Sequence, residues 1–114
     1  MAITQAVLFN PNQVDNAAEE VIYTVPSTPS STILINFKVR FTNTTGGAVT
    51  ITIWAYPSGD SAADDTATLK SYSIAANDYL DIAIPRLAAG GVFSAQAGAA
   101  TSITCHFLDG VLVS

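Results

Sequence analysis

The chain has 114 residues, four basic and nine acidic, for a formal net charge of −5. Only 11% of its residues are charged, against about 25% in an ordinary globular domain. Four scattered cations cannot make a phosphate-binding surface, which argues against nucleic acid, and no apolar run approaches the ~20 residues of a membrane-spanning helix.

Length allows one domain with one core. Within it, residues 1–20 read as an N-terminal strand or arm plus a loop, and residues 21–114 as the body. Nothing from Met1 to Pro11 has the basic-then-apolar form of a secretory signal, so synthesis in a reducing cytoplasm is expected. Cys105 is the only cysteine. It can form no internal disulfide and reads as a small buried apolar group.

In chain order, Ala2–Phe9 reads as a first strand, ended by Asn10-Pro11-Asn12. Gln13–Glu20 is polar and acidic, a loop or a single helical turn. Val21–Val25 is a second strand stopped by Pro26, and Pro26–Ser31 a stiff polar connector. The strongest pattern follows. Ile33, Ile35, Phe37, Val39 and Phe41 alternate with polar Asn36, Lys38, Arg40 and Thr42. After Asn43–Gly47, Val49, Ile51 and Ile53 alternate with Thr50, Thr52 and Trp54. Period-two alternation around Gly46-Gly47 predicts a hairpin, with Phe41 opposite Val49 or Ile51 and Gly47 left-handed at the loop's end. The second register sets Lys38 opposite Trp54, a cation–π pair.

Pro57-Ser58-Gly59 turns the chain, and Asp60–Thr66 could form one helical turn capped by Ser58 or Asp60. Thr68–Ile74 is the next strand, with Leu69 on the face opposite Tyr72 and Ile74. Tyr79–Ile84 is another, with Leu80, Ile82 and Ile84 on one face. Val92–Ala97 follows, then Ser102–Phe107 and Val111–Val113, bent near Asp109-Gly110. About eight short strands with Gly/Pro/Asn punctuation and no amphipathic helix predict an all-β fold, a single antiparallel β-sandwich. Jelly-roll and immunoglobulin-like connections both remain open at this point.

Chemistry-bearing constellations are sparse. His106 is the only histidine, and it points to the opposite strand face from Cys105, so the two cannot share a metal. No second Cys or His completes a zinc site, a nucleophile–base pair is hard to build with His106 as the only imidazole base, and no enzymatic activity or cofactor is expected. Asp60, Asp64 and Asp65 are the densest acidic cluster, a conceivable calcium loop whose spacing matches no EF-hand or β-helix calcium motif; capping and solvation are the simpler reading. Asn43-Thr44-Thr45 fits the glycosylation acceptor pattern but reads as a turn. Trp54, Tyr56, Tyr72 and Tyr79 could line a sugar platform, though packing explains aromatics more often.

The charge-poor surface points to association. A monomer of this mass exposes on the order of 6,000 Å², and a standard interface covers roughly 800 Å² per partner. A homo-oligomer, for instance a trimer, or a component of a larger assembly is therefore expected. The candidate contact residues are Ile3, Val7 and Phe9 on the arm, Trp54 and Tyr56, and Lys38 and Arg40.

Several phrases, in order, resemble a class of small tailed-bacteriophage virion proteins. They are Tyr23-Thr24-Val25-Pro26; Phe41-Thr42-Asn43-Thr44 with Gly46-Gly47 and Ala48-Val49-Thr50-Ile51; Tyr56-Pro57-Ser58-Gly59; and Leu87-Ala88-Ala89-Gly90 before Val92-Phe93-Ser94-Ala95. The resemblance spans Val21–Val113 and leaves the arm outside; Gly91 stands where that class often carries aspartate. It implies a β-sandwich located in the virion that decorates or cements a capsid by binding itself and the major capsid protein. The alternative it leaves open is a tail or fibre module that binds a receptor or glycan. On this reading the arm could pair with a neighbouring subunit's strand edge.

Overall fold

The computed structural model describes residues 2–114; Met1, the first residue of the expected arm, lies outside them. Among the described residues there is no helix. The strands are β1 (Ile3–Thr4), β2 (Asn12–Gln13), β3 (Glu20–Thr24), β4 (Ile33–Asn43), β5 (Val49–Tyr56), β6 (Ala67–Ile74), β7 (Tyr79–Ala83), β8 (Leu87–Ala88), β9 (Val92–Ala97) and β10 (Ile103–Val113). They form two antiparallel sheets, as in a β-sandwich. One runs β1-β10-β4-β7, with β2 also on β10 and β8 also on β4; the other runs β3-β9-β5-β6. Two edges of the first sheet are each split into two pieces, which is why the strands outnumber the eight or so expected.

The sandwich core lies between the sheets. Phe37, Val39, Phe41, Ile103 and Cys105 come from one side, and Ile51, Ile53, Phe93 and Ala95 from the other, all essentially inaccessible. Strand alternation puts these residues inward and leaves Lys38, Arg40 and Thr50 outward. The alternation read correctly from Phe37 to Phe41 breaks upstream. Asn36 is left-handed, with φ 54°, and here β4 carries one residue more than β10 between the pairs Lys38–Asp109 and Ile35–Val111. This bulge switches the inward residue to Leu34, so Ile33 and Ile35 are only half-buried. A compensating bulge at Leu108 on β10 restores the register, which accounts for the bend expected near Asp109-Gly110 in a strand that otherwise continues.

The expected hairpin does not form. β4 and β5 belong to different sheets: β4 pairs with β10, β7 and β8, and β5 with β6 and β9. The segment between them crosses the sandwich, so their apolar faces meet across the core rather than side by side. Gly47 accordingly has no positive φ; Gly59 and Gly90 do. The crossing is fixed by Asn43, which is fully buried. Its Nδ2 donates to the carbonyls of Gly47 (2.8 Å) and Ile74 (3.0 Å), while Oδ1 accepts from the Thr45 N–H (2.9 Å) and hydroxyl (2.7 Å). A side chain buried in this way is closed to glycan attachment.

Three further expectations are corrected. Leu69 packs on the core together with Ile74, not on the opposite face, because β6 gains an extra residue between Leu69 and Tyr72, where Ser71 is left-handed (φ 50°). Asp60–Thr66 forms turns rather than a helical turn, and Asp60 accepts from the Ser61 N–H. The first strand shrinks to Ile3–Thr4, while the predicted loop contributes β2 and the buried Val14. At Gly91 an added Cβ would lie 2.9 Å from the Ala88 carbonyl oxygen. That close approach demands glycine at this position.

Candidate interaction surfaces

The N-terminal segment lies along its own chain. β1 pairs with the end of β10 (Ile3 with Val113), and β2 with its start (Gln13 with Thr104). Beyond β2, the Val14 N–H donates to Ile103 and the Ala97 N–H to the Asp15 carbonyl, both at 2.8 Å. The segment thus straps the open side of the sandwich from one sheet to the other. Phe9 is its anchor, with its ring centroid 5.6 Å from Phe107 and 6.1 Å from Phe37, edge to face in both cases. Two adjacent carboxylates hold the strap's far end. Glu20 accepts from the Asn12 amide and from the Asp15 N–H, and Glu19 accepts from the Tyr56 hydroxyl at 2.5 Å. Of the three arm candidates, Phe9 therefore serves the core. Ile3 (61% exposed) and Val7 (72%) stay at the surface.

Tyr56 is 7% exposed, and burial together with Glu19 raises its hydroxyl from 10.0 to about 12. Trp54 is half-buried on the same strand. Tyr72 sits on the edge strand β6, whereas Tyr79 belongs to the other sheet. The four aromatics considered for a sugar platform are not brought together.

On the outer face of the first sheet, register places His106, Arg40 and Asp81 in one row across β10, β4 and β7. Arg40 donates from Nε (2.7 Å) and Nη2 (2.9 Å) to the two Asp81 oxygens, and its guanidinium lies 4.2 Å from the Tyr79 ring centroid. The fork geometry of guanidinium and carboxylate explains the bidentate pair. It holds the Asp81 carboxyl below its usual range. The pairing of Lys38 with Trp54 is overturned, since the two residues stand on different sheets. The cation–π contact that does form uses Arg40 and Tyr79, neighbours across one ladder, and that signal was hidden without the strand order. Lys38 lines a shallow cavity of about 490 Å³ beside the β4 bulge, together with Arg86, Asp109, Ile35 and Ile84.

Cys105 faces the core, where burial raises its thiol to about 12, and His106 faces outward with Nδ1 lacking a hydrogen-bond partner. Asp64 pairs with Lys70 at 2.9 Å. Among the described residues no three of His, Cys, Asp or Glu converge as a metal site would require, Asp60, Asp64 and Asp65 included. No protein-family model, curated protein or solved structure matches the chain.

Proposed function

We propose that this chain is a non-enzymatic virion structural protein of jelly-roll type, a capsid decoration or cement protein that binds copies of itself and the major capsid protein. The strand order carries the reading. With β1 and β2 taken as one edge and β7 and β8 as another, the sheets run edge-β10-β4-edge and β3-β9-β5-β6. From β3 onward the chain alternates between the layers at every step except within the β5-β6 and β7-β8 pairs. Such interleaving supports a jelly roll, two nested Greek keys, an architecture used by viral capsid and lectin domains. Fold alone does not fix function. The second support is a surface of 5807 Å² carrying few charges, suited to being covered by neighbours. The resemblance in ordered sequence phrases adds the phage context.

Co-sedimentation of the purified protein with capsids tests the proposal. Near-stoichiometric, saturable binding is expected. Binding to arrayed glycans that is lost on Trp54→Ala, without capsid binding, would replace it with the tail or fibre reading.

A further inference from the structure

Each sheet edge in this fold except one is blunted. The free side of β10 is strapped by β1 and β2, each only two residues long. β3 has a register shift at Ile22 and stops just before Val25-Pro26. β6 has two register shifts, a left-handed Ser71 and an exposed Lys70. Short strands, bulges, proline and lysine are the devices by which edges resist pairing. By contrast β7 pairs with β4 in unbroken register from Lys38–Ala83 to Thr42–Tyr79. Nothing pairs with its other side among the described residues.

The hydrogen-bond phase tells which groups are free. The Asn43 N–H donates to Asp78 and the Ile84 N–H to Phe37, so Leu80 and Ile82 direct their backbone groups at β4. Tyr79, Asp81 and Ala83 direct theirs away, and all three residues are exposed. The Tyr79 N–H is already taken by the Asp78 carboxylate at 2.8 Å. What stays open is the Tyr79 C=O and the N–H and C=O of Asp81 and of Ala83.

We infer that the β7 edge is a docking surface for a second copy of this chain, paired antiparallel about a two-fold axis with Asp81 opposite the second copy's Ala83. Centring the pair on Asp81 would set two carboxylates face to face, which is unfavourable. Setting Tyr79 opposite Asp81 would engage an N–H already used. Centring it on Ala83 would face Asp81 with Pro85, which has no N–H. The register centred on Ile82 engages the N–H and C=O of Asp81 and Ala83 on each edge, sets Ile82 against Ile82, and merges the two first sheets into one. It also brings Asp78 of each copy toward Arg86 of the other. Arg86 makes no ion pair within its own chain among the described residues, so the edge is self-complementary in charge as well. This inference stands on the strand edges and does not rest on the virion role.

The test is site-directed cross-linking of the full chain. Facing residues in a non-hydrogen-bonded pair have Cα atoms about 4.5 Å apart, inside the disulfide range. Under mild oxidation Ile82→Cys should give a linked dimer at least about tenfold faster than Ala83→Cys, and Cys105, fully buried, does not compete. Ala83→Pro removes an N–H that no group in its own chain accepts from, so it should abolish the dimer seen by sedimentation velocity while keeping the native circular dichroism. Arg86→Glu should weaken the dimer, and adding Asp78→Lys should restore it. Equal cross-linking of the two cysteine variants would overturn the inference. So would a dimer unaffected by Ala83→Pro, or a wild-type chain that stays monomeric at millimolar concentration.

Discussion

Asn43 does at residue scale what a turn motif does elsewhere: it gathers carbonyls and an N–H from two segments, the β4–β5 connection and the end of β6, at a buried point. Asn43→Ala leaves several of them without partners, and each buried unsatisfied group costs about 1–3 kcal/mol. Chemical denaturation should therefore show a loss of at least about 2 kcal/mol, whereas Thr42→Ala on the outer side of the same strand should show little. Buried acids weigh against the fold on the alkaline side, Tyr23 among them, its hydroxyl raised by burial; two are raised furthest. The Cys105 thiol is raised from 9.0 to about 12, first by burial and then by Glu20. The Tyr56 hydroxyl is raised from 10.0 to about 12, first by burial and then by its bond to Glu19. Both groups keep their protons longer folded than unfolded, so their contribution is complete below pH 9 and is lost as pH rises toward 12. Denaturation midpoints should fall across that window. Cys105→Ala should flatten the early part of the fall, and Tyr56→Phe the later part.

At the scale of elements, the N-terminal strap is part of the closure of this sandwich. Leu8 and Phe9 pack on the core. Deleting the residues up to Asn10 should therefore lower the stability of the body. Phe9→Ala alone should cost about 2 kcal/mol, below the 3–5 typical of a fully buried phenylalanine because Phe9 is half-buried. A calorimetric melting temperature unchanged by Phe9→Ala would show that the strap does not seal the core. The elements themselves were legible wherever alternation ran unbroken: Phe37–Phe41, Val49–Ile53 and Val92–Ala97 lie where the pattern put them. Their partners were not legible. Alternation states which face of a strand is apolar, and that face is satisfied equally by a neighbour in the same sheet or by a layer across the core. The glycine pair between β4 and β5 suggested the first, whereas the fold uses the second. Val14 was hidden for another reason: a lone apolar residue in a polar, acidic stretch carries no period. The bulges at Asn36 and Ser71 shift faces through single left-handed residues that composition does not mark.

As a whole the molecule is a slab with principal extents of 46 × 26 × 17 Å, its ionic groups thinly spread and in part tied to one another. Arg40 and Lys70 are paired with Asp81 and Asp64, which leaves broad neutral tracts for contact. The candidate contact residues divide accordingly. Ile3, Val7 and Trp54 retain exposed surface, Tyr56 and Phe9 are committed inward, and Arg40 is held in the outer row with Lys38 free beside it. Under the proposed decoration role, such a surface would be covered at many equivalent positions of a symmetric shell. The direct measurement is the copy number and position of this chain on purified phage particles, by quantitative mass spectrometry and labelled electron microscopy. The account predicts a fixed ratio to the major capsid protein and label spread over the head. A handful of copies confined to the tail, or none on particles, would contradict it.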